Sequence, residues 1–360
     1  MGYTDNWNQI KELVKNTRLP AETDEIFLFG AGLIGAVAAS TLKGEVNIKA
    51  ICDNSIEKQG RVIEGIPCIS PNELVQYQNP FVLISTNKYY KSLHQQLEDM
   101  KIPHCSLDAY VMHKHFNEFE EVFNLLDDES KEVYSGVLLG RMTGDMEMIE
   151  QYYAPDQYFY FPKFRCLQNR DGVFVDCGAF VGDTVEDIVK YSTGIFKEIC
   201  AFEPTERAFK ALQKRGAFLT DIWALSESKI VYERKGVGAK HGILRFRDNT
   251  GALSSTSLSS NPNTEENTVE VITLDEYFVQ REAQNIVFIK ADIEGSEWDM
   301  LHGASETIQR CKPLMAICLY HNIYDFYRIP LYLKKLVPKY KFHIRHHSNT
   351  YNETVLYCYL

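Results

Sequence analysis

Three carboxylates and a lysine leave one apolar run within a few residues of each other, as Lys290-x-Asp292-x-Glu294-Gly295-x-Glu297 after Ile286 to Ile289. Ligands of open α/β sheets bind at the carboxyl ends of the strands, and so many charges are costly to bury without a ligand, a metal or one another. Such a group suits binding a hydroxyl and taking its proton. It also suits holding a divalent cation, through Asp292 and Glu294, that lowers the hydroxyl's pKa. The competing reading is an ion-pair network with Lys290. His321 follows the apolar run Leu314 to Leu319, at the end of what should be the neighbouring strand, and is the candidate proton acceptor.

A second constellation lies upstream. The run Val173-Phe174-Val175 stops at Asp176, turns through Gly178 and opens a helix near Gly182 and Asp183. Glycine lets a ligand approach the backbone, and a helix start offers free N–H groups. The next short strand, Ile199 to Phe202, ends in Glu203-Pro204, where a carboxylate can accept hydrogen bonds from a ribose diol. A third signature, Gly30-x-Gly32-x-x-Gly35 with Asp53 ending the following strand, has the spacing of a dinucleotide fingerprint. Its plainer reading is helix–strand packing.

The elements that must position these groups alternate as in α/β proteins. Residues 1–112 read as a small Rossmann-like, doubly wound domain and 113–154 as a helical connector. Residues 155–360 read as a second such domain, whose closing hairpin, Phe342 to His346 and Thr354 to Tyr359, adds an antiparallel strand. Strand character is expected from Asp221 to Ser226, a hairpin from Lys229–Tyr232 with Gly242–Phe246, and a polar loop over Asn249–Asn267 that would suit a lid. The chain has 360 residues and a net charge of -11, which argues against a nucleic-acid binder. Nine cysteines without Cys-x-x-Cys, several inside apolar runs, read as buried thiols. No signal peptide or membrane-spanning run is evident, so a cytoplasmic protein is expected.

At these residues the chain resembles the FkbM-type S-adenosylmethionine-dependent methyltransferases. The matching pieces are Val173 to Thr184, Phe202-Glu203-Pro204, Ala224-Leu225-Ser226, Leu274-Asp275, Ile289 to Glu297, Gln157-Tyr158-Phe159 and Glu353 to Tyr357. The resemblance implies a class I methyltransferase sheet of seven strands and methyl transfer to a hydroxyl oxygen, typically on a sugar or polyketide. Carried onto this chain, Asp176, Gly178, Ala179, Gly182, Asp183 and Thr184 would hold the methionine part of S-adenosylmethionine. Glu203 and Pro204 would hold the ribose and Ala224 and Leu225 the adenine, with Tyr158 as a further contact.

Gly30 to Gly35, Asp53-Asn54 and Gly60-x-x-Ile63-x-Gly65-Ile66-Pro67 resemble the N-domain of sugar acyltransferases that build surface glycans. That likeness implies a nucleotide-linked sugar. The expectation is therefore an O-methyltransferase acting on a sugar hydroxyl in surface-polysaccharide or natural-product biosynthesis, with S-adenosylmethionine as cofactor and a divalent cation as a further candidate. His321, Asp292, Glu294 and Lys290 form its catalytic group. The alternatives are an NAD-dependent oxidoreductase using Gly30, Gly32, Gly35 and Asp53, and a non-catalytic nucleotide-binding scaffold.

Overall fold

The computed structural model describes residues 2–155, 157–158, 169–246, 267–281 and 285–360. The polar loop from Asn249, up to the start of β12 at Asn267, and the aromatic residues Phe159 to Phe161 lie outside them. The N-terminal strands are β1 (Glu25–Phe29), β2 (Ile48–Cys52), β3 (Val62–Ile63), β4 (Ile66–Ile69), β5 (Pro80–Ile84) and β6 (His104–Ser106). They form a sheet of order β3-β4-β2-β1-β5-β6, parallel except for the β3–β4 hairpin. Phe27, Phe29, Ala50, Cys52, Phe81 and Leu83 are buried, as strands covered on both faces require.

The helices of this half are α1 (Tyr3–Asn16), α2 (Leu33–Thr41), α3 (Pro71–Leu74) and α4 (Tyr90–Asp99). Helix α3 starts with the expected serine cap: Ser70 and Glu73 form a reciprocal capping box with Pro71 just inside. The connector consists of α5 (Leu107–Lys114), α6 (Phe116–Leu125), α7 (Asp128–Thr143) and α8 (Met146–Glu150). Helix α1, expected as part of the N-terminal domain, packs on this connector. Trp7 stacks on Phe123 with ring centroids 4.2 Å apart, and Asn6 donates to the Tyr152 hydroxyl.

The second half contains β7 (Asn169–Cys177), β8 (Phe196–Phe202), β9 (Ile230–Glu233), β10 (Gly236–Val237), β11 (Gly242–Phe246), β12 (Asn267–Ile272), β13 (Ile286–Ala291), β14 (Leu314–Cys318), β15 (Lys341–His346) and β16 (Thr354–Tyr359). Its helices are α9 (Asp183–Ser192), α10 (Glu206–Ile222), α11 (Leu274–Gln280), α12 (Glu297–His302), α13 (Ser305–Cys311) and α14 (Asp325–Leu336). The large sheet runs β15-β16-β14-β13-β7-β8-β9, and β16 pairs antiparallel with both neighbours. This is the expected seven-stranded arrangement.

Two local expectations are corrected. Asp221 and Ile222 extend α10, and Ala224 then turns with φ of 48°, so no strand forms at Asp221–Ser226. The third parallel strand is β9 instead. Consequently β9 and β11 do not make a hairpin: β9 lies parallel to β8, whereas β11 pairs with β12 in a separate small sheet.

The two halves share one apolar core that runs through the connector. Within it Arg141 and Asp108 form a buried pair, 2.9 Å between Nε and Oδ2, and Arg141 Nη1 donates to the Tyr320 carbonyl. The eight described cysteines are free, seven of them buried. No helix among the described residues is long and apolar enough to cross a membrane.

Candidate active site

The turn after β7 is built against the end of β13. A Cβ on Gly178 would lie 1.9 Å from the Asp292 carbonyl oxygen, and Gly178 has φ of 82°, so this position takes glycine on both counts. Lys290 secures the turn from below. Its Nζ donates to the Gly178 carbonyl at 2.7 Å and sits 3.3 Å from Asp176 Oδ1. Both residues are buried, and neither Asp176 oxygen has a hydrogen bond. Burial pushes the Asp176 carboxyl up against the opposing pull of Lys290. The Lys290 ammonium is held above its ordinary range, because Asp176 and Asp292 outweigh its burial. Asp176 is thus buried beside Lys290, under the turn that Lys290 holds.

Glu203 braces the same turn from β8. Its Oε2 accepts from Phe180 N–H at 3.0 Å and its Oε1 from Thr205 N–H at 2.8 Å. Asp53 does the same in the first half: it accepts from Ala31 N–H at 2.7 Å, from Ser55 N–H at 2.8 Å and from Lys58 Nζ. The two sites differ in what lies beside them. Glu203 lines a cavity of about 940 Å³, and Asp53 does not.

That cavity runs along the carboxyl ends of β7, β8, β13 and β14. Its lining includes Gly178, Phe180, Asp183, Thr184, Glu203 and Pro204, which follow β7 and β8, and Asp292, Glu294, Tyr320, His321 and Glu353, which follow β13 and β14 or precede β16. Tyr158 lines it too, its N–H bonded to the Tyr357 hydroxyl. Ala179 is fully buried outside the lining, and Gly182 serves as the left-handed N-cap of α9. Ala224 and Leu225, expected beside an adenine, are not at the cavity; Leu225 packs near Gly194. The wall next to Glu203 is formed by Lys235 to Lys240, between β9 and β11. No motif marks that stretch, and its place follows from β10 pairing with β12.

The acidic residues form a connected cluster. The Tyr320 hydroxyl lies 2.9 Å from Asp292 Oδ1 and 3.3 Å from Glu353 Oε1, and Gln157 donates to the other oxygen of Glu353. His321 is buried, with Nδ1 3.0 Å from Glu297 and Nε2 3.7 Å from Asp292 and 3.5 Å from Glu294. Burial alone would pull its pKa down, but Glu297, Asp292 and Glu294 raise it to about 9. His321 is therefore an imidazolium at neutral pH, which does not fit its expected role as proton acceptor. Glu294 has φ of 57°, strained for a residue with a Cβ, and burial pushes its carboxyl up to about 7 despite the pull of His321. Asp292, Glu297 and His321 each bring one ligand atom within 4.8 Å of the others, a grouping that suits a cation and leaves out Glu294.

The first half closes the cavity. Leu33 and Ile34, inside the Gly30–Gly35 motif, line it together with Arg141. Val37 of α2 lies over Gly295, and Asn322 donates to Thr41. Gly35 is needed for packing, since a Cβ there would meet the Gly30 carbonyl oxygen at 1.8 Å, whereas Gly32 has open space around it.

Residues 176–343 match the family model described as the methyltransferase FkbM domain, and residues 22–106 match the one described as C2185-like, N-terminal. A crystal structure of methyltransferase FkbM from Methylobacillus flagellatus KT is similar over 99% of this chain and 100% of that one, at 21% identity and a TM-score of 0.59. An rRNA methylase from Streptococcus thermophilus is 14% identical over 54% of this chain and 89% of its own, with a TM-score of 0.33. UDP-D-quinovosamine 4-dehydrogenase from Vibrio fischeri is 19% identical over 26% of this chain and 87% of its own, with a TM-score of 0.21. The first of these shows the fold of the whole chain. No curated protein matches it.

Proposed function

Because residues 176–343 match the methyltransferase FkbM domain, we propose that this protein methylates a hydroxyl of a polyhydroxylated acceptor, a sugar or a nucleotide-linked sugar. The carrying observation is one cavity lined by both the braced Gly178 turn and three carboxylates, Asp292, Glu294 and Glu353. The site fits S-adenosylmethionine. Helix α9 has no side-chain cap, so its first N–H groups are free for a carboxylate. Glu203 accepts two hydrogen bonds from Thr205 on Oε1 and one from Phe180 on Oε2, which keeps one lone pair for a ribose hydroxyl, and Tyr158 and Lys235 to Val237 wall the same space. When bound, the cofactor supplies an electrophilic methyl group.

The chain's own residues then position the acceptor and take its proton. Asp292, Glu294 and Glu353 accept hydrogen bonds from neighbouring hydroxyls, as a polyol requires and a lone alcohol would not. Glu294, with a carboxyl that ionises near neutral pH, is the assigned base. His321 balances the negative charge that remains. Lys290, expected among the catalytic residues, acts through the Gly178 turn and is a positioning residue. A divalent cation bound by Asp292 and its neighbours is the competing source of positive charge; it would require His321 to lose its proton.

We assign the Gly30–Gly35 motif to closing the acceptor part of the cavity, where Leu33 and Ile34 stand, rather than to a dinucleotide. Asp53, which an NAD reading would place on a ribose, does not line this cavity, whereas Leu33 and Ile34 do. Leu33→Arg is expected to raise the acceptor KM several-fold and leave cofactor affinity unchanged, in steady-state kinetics with each substrate varied. An effect confined to cofactor affinity would rule this assignment out.

Calorimetric titration with S-adenosylhomocysteine, and separately with NADH, tests the reading. Binding of the first is expected, weakened by Glu203→Ala by about 1.5–3 kcal/mol, the range for a hydrogen bond to a charged group. NADH binding without S-adenosylhomocysteine binding would restore the oxidoreductase.

A further inference from the structure

Outside the cavity, helix α4 and edge strand β6 bring two histidines and a glutamate together. His94 and Glu98 are one helical turn apart on α4, and His104 opens β6. His94 Nδ1 and His104 Nε2 face each other at 2.7 Å, and Glu98 Oε1 lies 3.7 Å from the same Nε2. One ligand atom from each residue falls within 4.8 Å of the other two. The remaining nitrogen of His104 is 2.7 Å from the Ile102 carbonyl oxygen. A carbonyl accepts only, so Nδ1 carries the proton and Nε2 turns its lone pair into the cluster. This backbone contact is the usual device for fixing the tautomer of a metal-binding imidazole. His104 is buried at 3% side-chain exposure, and its burial favours the neutral ring. His94 and Glu98 are exposed, which gives an ion a way in and leaves room for a water ligand.

We propose that His94, Glu98 and His104 form a site for a divalent cation of the zinc class. Two imidazoles and a carboxylate suit zinc and its borderline neighbours better than calcium or magnesium. Without metal, one proton sits between the facing nitrogens, with His94 Nδ1–H donating to His104 Nε2. On binding, His94 takes its other tautomer, with the proton on Nε2, so both facing lone pairs reach the ion and no net proton is lost. Metal–nitrogen bonds of about 2.0–2.1 Å set tetrahedral ligand nitrogens roughly 3.3 Å apart, so the rings must separate by about 0.6 Å. Exposed His94 has that freedom. Arg18 acts against the ion through its charge, and Glu98 acts for it. The bound ion would clip α4 to the edge of the first sheet, independently of methyl transfer.

The test is a zinc titration of the full chain, stripped with EDTA and dialysed, against a chromophoric chelator. One equivalent of micromolar or tighter zinc is expected. His94→Ala should abolish it and Glu98→Gln should weaken it about tenfold or more, while both variants keep the wild-type affinity for S-adenosylhomocysteine. His104→Gln should also abolish it, but that ring is buried, so the two exposed positions carry the decision if this variant does not fold. The proposal is overturned if the wild type binds no zinc. It is equally overturned if His94→Ala and Glu98→Gln retain the full equivalent, which would put the ion on cysteines or on the Asp292–His321 cluster.

Discussion

Glu294→Gln is expected to lower turnover by about 10²–10⁴-fold, the range for losing a positioned general base, with S-adenosylhomocysteine affinity unchanged. Glutamine keeps the shape and the hydrogen bonding but cannot take a proton. The pH profile supplies the independent signature. A carboxyl raised to about 7 is protonated, and idle as a base, below that pH, so the rate should rise through about 7 and level off above it. Loss of the His321 proton near pH 9 should then turn the profile down. Initial rates across pH, with an acceptor found by screening glycosides and nucleotide sugars, check this. A rising limb that survives in Glu294→Gln would move the base to Asp292. Activity lost in EDTA and restored by magnesium would replace the imidazolium with a cation.

Lys290→Met should destabilise the fold by about 3–5 kcal/mol, the cost of leaving a buried charge without its partner. Asp176 is fully buried, its oxygens have no hydrogen bond, and Lys290 is the cation it faces. The same ammonium donates to the Gly178 carbonyl, so the turn loosens as well. Cofactor affinity should therefore fall along with the denaturation midpoint in urea. Pairing the change with Asp176→Asn should recover much of the stability, because no naked charge is left. It should recover less of the affinity, because the carbonyl still lacks its donor. If Lys290→Met alone left stability within about 0.5 kcal/mol, the range of an ordinary surface substitution, the pair would be hydrated and its role here would fail.

Features that depend on nearest neighbours along the chain could be read from the residues alone. Strand ends with an acid and a glycine turn were legible at Asp176–Gly178, at Glu203 and at Lys290–Glu297, because strand period, turn chemistry and charge are local. The antiparallel last strand was legible for the same reason. What local pattern could not decide was which face of each turn a side chain would take. Asp176 went beneath its turn because Lys290, more than a hundred residues away, supplies the only charge compensation described there. Asp53 and Glu203 read alike in sequence and brace their turns alike, yet only Glu203 opens onto the cavity. Ala224 and Leu225 were misplaced because α10 continues two residues past the expected strand start, shifting the third strand to Ile230. His321 reads as a base in the sequence, but Asp292 and Glu294 of the turn after β13 and Glu297 at the start of α12 surround it. Protonation is set by charges close in space, and those neighbours exist only once β13 and β14 lie side by side.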